Sequence, residues 1–160
     1  MASTTFSGPV TATNGFITGS GSLVSVTADV TLTSASHAGR TMVFDIASGA
    51  TVTLPAASGT GNVYKFFVKT TVTSNSYKIQ VANANDTMAG LAIVSNDESA
   101  TADIFATGAT SDTITMNGTT TGGILGATVE IQDVASNVFS VLTRSEASGS
   151  EATPFSAAVS

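Results

Sequence analysis

Hydrophobic and polar residues alternate along much of this chain, in short runs separated by clusters of Gly, Ser and Asn. Between Arg40 and Val81 the alternation predicts four strands in succession. Met42, Phe44 and Ile46 fall on one face, and Val52 and Leu54 follow before Pro55 closes the second run. Tyr64, Phe66 and Val68 then alternate with Lys65, Phe67 and Lys69, and Tyr77, Ile79 and Val81 make the fourth. A period of two places each apolar set on one side of a pleated sheet. The separators ASGA, AASGTGN and TSNS carry the residues that break strands.

The same reading extends both ways. Upstream, LVSVTADVTLT alternates from Leu23 through Val24, Val26, Ala28, Val30 and Leu32. Downstream come short runs at Leu91 to Val94 and around Ile104, TITM at Thr113 to Met116, and a stretch TTTGG that reads as flexible. GATVEIQDVASNVFSVLTR then reads as two strands around a tight loop. Val129 and Ile131 point to the core there, but their partners are either Val138, Ser140 and Leu142 or the alternate set Phe139 and Val141. The expected fold is all-β, an antiparallel β-sandwich or jelly-roll barrel of about eight to ten strands without a convincing helix. Its core is expected to hold Val24, Val30, Leu32, Phe44, Ile46, Val52, Leu54, Phe66, Val68, Ile79, Val81, Val129, Ile131 and Phe139.

Three parts follow from this pattern: an N-terminal arm at 1–22, a β-sandwich domain at 23–144 and a C-terminal tail at 145–160. The arm is polar, with Phe6, Val10, Phe16 and Ile17 spaced along it. It cannot bury enough to fold alone, so these four are expected to be partner-binding anchors on a neighbouring surface. The tail is low in complexity apart from Pro154 and Phe155.

Composition narrows the function. Charged residues make up only 10% of the chain, while Ser and Thr make up roughly 30% of it, which implies a hydroxyl-rich surface suited to lying against another protein. A net charge of −6 with five scattered cations argues against nucleic-acid binding, which needs clustered basic groups. No run approaches the roughly 20 apolar residues of a membrane span. MASTTFSGPV lacks the basic start and apolar core of a secretory signal. The chain has no cysteine, so durability is expected from packing or from oligomerisation.

Candidate chemistry is sparse. His37 is the single histidine and sits in the polar stretch SASHAGR, without the nucleophile-elbow signature that a serine dyad would want. Asp97, Glu98, Asp103 and Asp112 supply hard oxygen ligands but lack the spacing of a calcium loop. Lys65, Lys69 and Lys78 would line a cationic stripe or simply keep a sheet soluble, and Tyr64, Phe66 and Tyr77 would line a sugar platform or the core. No catalytic, cofactor or metal site is expected, and an enzyme is the least favoured class.

With these residues in view, TLTSASHAGRTMVFDIASGATVTLP resembles the opening of a group of tailed-bacteriophage capsid decoration, or auxiliary head, proteins. Gly39, Arg40, Phe44, Asp45, Val52, Leu54 and Pro55 carry the likeness. GATVEIQDVASNVFSVL is similar to that family's closing hairpin through Gly126, Val129, Glu130, Ile131, Asn137, Phe139 and Val141, with Phe139 where the family usually has Trp. The resemblance implies a non-enzymatic virion protein, synthesised in the host cytoplasm and carried on the capsid exterior. Its partners would be the major capsid protein and itself, as a homotrimer, with no nucleic acid or membrane; the arm would lie on the capsid or an adjacent subunit. A host-recognition domain of a head fibre or tail spike is the alternative, and a bacterial surface module a third reading.

Overall fold

The alternating runs become strands in two facing sheets. The structure, a computed structural model, describes residues 7–8 and 23–160. In chain order the elements are β1 (Leu23–Val26), β2 (Val30–Thr31), a single helical turn α1 (Ser34–His37), β3 (Thr41–Phe44), β4 (Ala50–Thr53), β5 (Val63–Val68) and β6 (Tyr77–Gln80). They continue with β7 (Thr87–Asn96), β8 (Ala102–Ala106), β9 (Thr113–Met116), β10 (Thr128–Ala135), β11 (Val138–Ala147) and β12 (Phe155–Ser156). One sheet has seven strands in the order β1-β3-β5-β10-β11-β7-β8, and the other has five in the order β12-β9-β6-β4-β2.

The all-β sandwich expectation holds, but the pairing is mixed where antiparallel pairing was expected. The first six strands alternate between the sheets, so that β1, β3 and β5 stack in parallel in one while β2, β4 and β6 stack in parallel in the other. A parallel pair needs a long crossover. Here the crossover from β3 to β5 is β4, a strand of the opposite sheet. The physical reason lies in the apolar faces. Met42 and Phe44 of β3 are buried, as are Ala50 and Val52 of β4. Placed side by side in one sheet, these sets would share a face and need a further layer to cover it. Placed in opposite sheets, they cover each other across the core.

The later strands close this coil. β10 runs antiparallel to β5 and forms a hairpin with β11, β7 lies parallel to β11, and β9 and β12 extend the five-stranded sheet antiparallel to β6. Phe139, Val141 and Thr143 point inward, which selects the second of the two registers open from sequence. The hairpin carries an irregularity between Asp133 and Ala135, and Asn137 takes a left-handed φ of 63°. Residues 145–160, read from sequence as a tail, contain the end of β11 and all of β12, and Pro154 and Phe155 are buried.

Eleven of the fourteen expected core residues are buried, and Val24, Val30 and Ile46 are partly buried against them. Tyr64, Tyr77, Met42, Met88, Ile114 and Met116 join this core. Phe44 stacks on Tyr77 with ring centroids 4.3 Å apart, and on Phe66 at 5.8 Å. The Tyr77 hydroxyl lies 2.5 Å from the carbonyl of Ile46 and 2.7 Å from that of Thr70, which share its one hydrogen, so its polar tip is satisfied while its ring stays in the core.

Buried carboxylates brace the loops. Asp133 accepts from the amides of Ser58, Gly59 and Thr60 at 2.7–3.0 Å and from the Thr60 hydroxyl at 2.6 Å, tying the β4–β5 connection to β10. Asp86 accepts from the Ala57 amide, and Asp112 from the Thr113 hydroxyl and the Ala158 and Val159 amides. Burial alone would raise the Asp133 carboxyl, but the Thr60, Gly59 and Ser58 donors outweigh it and hold it below the ordinary carboxylate value. A depressed folded-state value contributes stability above the unfolded value of about 3.9 and loses it as pH falls through the folded one. The melting temperature is therefore expected to fall below about pH 4. Asp133→Asn should destabilise by about 2 kcal/mol at neutral pH, a figure reduced for loop amides that water can reach. The gap between variant and wild type should narrow as pH falls, and a gap that is constant from pH 7 to the acid limit would refute the assignment.

Candidate functional surfaces

Register builds two outward faces of different character. On the five-stranded sheet, Thr31, Thr53, Gln80 and Ser156 stand in one row across the strands, interrupted by Thr113, which is buried with its hydroxyl on Asp112, and Thr51, Lys78 and Thr115 stand in the next. The Gln80 amide donates to the Thr53 hydroxyl at 3.3 Å. This is the hydroxyl-rich face that composition led one to expect.

The seven-stranded sheet presents something else. One row reads Ser25, Val43, Phe67, Thr128, Arg144, Ile93 and Ile104 from edge to edge. Beside it, Leu142 of β11 neighbours Leu91 of β7. Leu91 is 43% exposed, Ile104 64% and Leu125 60%. Two shallow depressions of about 260 and 350 Å³ lie on this face, one between Phe67, Thr128 and Arg144 and the other between Ile93, Leu125 and Glu146.

Charge on the face is mostly neutralised locally. Lys65 pairs with Glu130 at 3.4 Å, and Lys69 with Asp45 at 2.6 Å. The hydrogen bonds from Lys69 and then Thr70 hold the Asp45 carboxyl below its ordinary value. Lys65 and Lys69 thus lie on the seven-stranded face and Lys78 on the five-stranded one, so the three lysines form no single stripe. Exposed pairs of this kind stabilise little, and they leave the face without strong net charge.

The remaining sequence candidates disperse. His37 ends the helical turn α1, and its Nδ1 accepts from the Thr33 amide at 3.0 Å. Asp97 and Glu98 lie between β7 and β8, Asp103 on β8, and Asp112 is buried against the C-terminal segment. Among the described residues no group of three or more His, Asp or Glu is placed to hold a metal ion. Tyr64 and Tyr77 are 1% and 0% exposed, so neither lines an outer platform. Phe6, Val10, Phe16 and Ile17 lie outside the described residues. No described helix is long and apolar enough to cross a membrane.

Sequence reading missed the apolar outer face because its members come from strands far apart in the chain. Leu91 and Leu142 meet only through the parallel pairing of β7 with β11. The signal was present only as apolar residues at both phases of the alternation, such as Phe67 beside Phe66. No family model matches the chain, and comparison with curated proteins and with solved structures finds no match.

Proposed function

We propose that this chain is a non-enzymatic virion structural protein, a capsid decoration or cement protein that sits as a homotrimer on the outside of a phage head. There it stabilises contacts between major capsid subunits. The observation that carries this reading is the pair of broad, weakly charged sheet faces on a cross-braced body, with shallow depressions on the seven-stranded face. Such faces suit contact with other protein surfaces, and a three-fold position on an icosahedral shell is best filled by a three-fold oligomer. The residues that carry the resemblance to decoration proteins support it further. Phe44 on β3, Val52 on β4 and Leu54 just after it are buried, and Gly39 and Arg40 lie just before β3.

The alternative of a host-recognition domain needs exposed aromatic groups. With both tyrosines buried, Phe67 is the one exposed aromatic among the described residues, and that reading is the weaker of the two.

Attachment to particles tests the proposal. Full-length protein is expected to stay on the heads of the phage that encodes it after dilution. Deleting 1–22 should leave the circular-dichroism spectrum of the β body unchanged and weaken retention by about tenfold or more, the net of about 1.4 kcal/mol expected if the four apolar anchors, at about 1.5–3 kcal/mol each, order only the residues immediately around them. No retention of the full-length protein would sink the capsid assignment. Equal retention of both forms would sink the anchoring role of Phe6, Val10, Phe16 and Ile17.

A further inference from the structure

We infer that the outer face of the seven-stranded sheet is the surface on which copies of this chain meet each other. The inference rests on the self-association in the reading above and not on its three-fold count or on the capsid, since one face meeting its own copy is a two-fold contact.

A sheet face left to water normally carries polar residues at its outward positions. This one carries Leu91, Ile93, Ile104 and Leu142 as one patch over β11, β7 and β8, with Phe67 and Val43 on the far side of Arg144. A contiguous apolar patch rimmed by polar groups marks an interaction site. The patch spans three strands, roughly 300 Å² at a spacing of about 4.8 Å and a length of about 20 Å, and with the rest of the seven-stranded face, roughly 600 Å² per copy in all, two copies exceed the roughly 1,000 Å² that a specific interface needs.

Charge identifies the occupant as a second copy. The chain carries −6 overall, so two copies approaching at random repel. On this face Lys65 is matched by Glu130 and Lys69 by Asp45. Arg144 and Glu146 are the charged side chains here without an ion pair among the described residues. They stand two residues apart on β11 and point the same way. A face holding one unpaired cation and one unpaired anion side by side is self-complementary, since Arg144 of one copy can meet Glu146 of another. A basic or acidic partner would leave one of the two unmatched.

Sedimentation velocity on the full chain between about 1 and 100 µM tests this, with Ile104→Asp as the disrupting variant and Lys78→Asp on the opposite face as control. Ile104 is 64% exposed on an edge strand, so its replacement should leave the spectrum and melting of the body unchanged. The expected result is an assembly for wild type and Lys78→Asp, and for Ile104→Asp a folded monomer whose association is weakened at least 100-fold. A wild-type monomer throughout the range, or an Ile104→Asp variant that assembles as tightly as wild type, would overturn the inference. If Ile104→Asp also misfolds, Arg144→Glu is the second variant. It should weaken assembly, and adding Glu146→Arg should restore it; no change in either would equally overturn the self-contact. A monomer that binds phage heads through Ile104 would transfer the face to the capsid, refuting self-contact while sparing the capsid part of the proposed function. An assembly that binds no particle would support the self-contact and count against the capsid.

Discussion

Phe44→Ala is expected to destabilise the protein by about 3–5 kcal/mol, enough to unfold a domain of ordinary stability or bring it close to unfolding. The ring is fully buried at 0% exposure, on the third strand of the chain, where the two parallel stacks face each other. It stacks on Tyr77 of the opposite sheet at 4.3 Å and on Phe66 of its own sheet at 5.8 Å. Removing it takes away apolar contact with both layers and leaves a void that the neighbours cannot close, because Tyr77 is pinned by its hydroxyl to Ile46 and Thr70. Phe67→Ala is the contrasting variant. It neighbours Phe66 in sequence but points outward at 36% exposure, and its loss should cost under about 1 kcal/mol in the isolated monomer. Denaturant unfolding with a common slope checks both. Equal losses at Phe44 and Phe67 would mean that β3 and β5 are not in the register described.

Much of this body was legible because the local rule and the global fold agree on strand existence and facing. Phe44, Phe66, Ile79 and Ile131 each follow a polar or smaller neighbour at a period of two, and all four are buried. The partner of each strand was not legible. A cluster such as ASGA marks the end of one strand and the start of another, yet a hairpin and a crossing to the opposite sheet use the same small residues. Half of the pairings are consequently parallel where hairpins were expected. The same limit hid the outer apolar face, which exists only once Leu142, Leu91 and Ile104 are placed side by side. Sequence spacing also undervalued side-chain hydrogen bonds to the backbone. Asp133 organises a loop more than seventy residues earlier in the chain, and nothing local to either segment announces that link.

The stretch after β9 makes the point most sharply and carries the other large prediction. TTTGG reads as flexible, being small and polar, yet its atoms are closely paired. The Asn117 side-chain oxygen accepts from the Thr119 and Thr121 amides at 2.9 and 3.1 Å, and its nitrogen donates to the Thr120 hydroxyl at 3.0 Å. The Gly118 amide donates to the Gly122 carbonyl at 2.7 Å, and the Thr120 carbonyl accepts from the Ala152 amide at 2.9 Å, joining this turn to the segment before β12. Gly118 has a φ of +82°, and a Cβ there would overlap the carbonyl oxygen of Val72. Gly118→Ala therefore combines the left-handed backbone cost of about 1–2 kcal/mol with a further displacement of about 1–3 kcal/mol of buried backbone, roughly 3 kcal/mol in all. Gly39→Ala separates the two contributions. Its φ is +73°, but nothing lies within 4 Å of the added atom, so it should cost only about 1–2 kcal/mol. Because Val72 itself is buried and its amide donates to the Gly123 carbonyl at 3.1 Å, it cannot retreat without breaking that bond. Hydrogen exchange on the Gly118 variant should accordingly quicken at Val72 and Ala152 together. A loss no greater than that of Gly39→Ala, with exchange at both amides unchanged, would show that the turn is as pliable as its composition suggests.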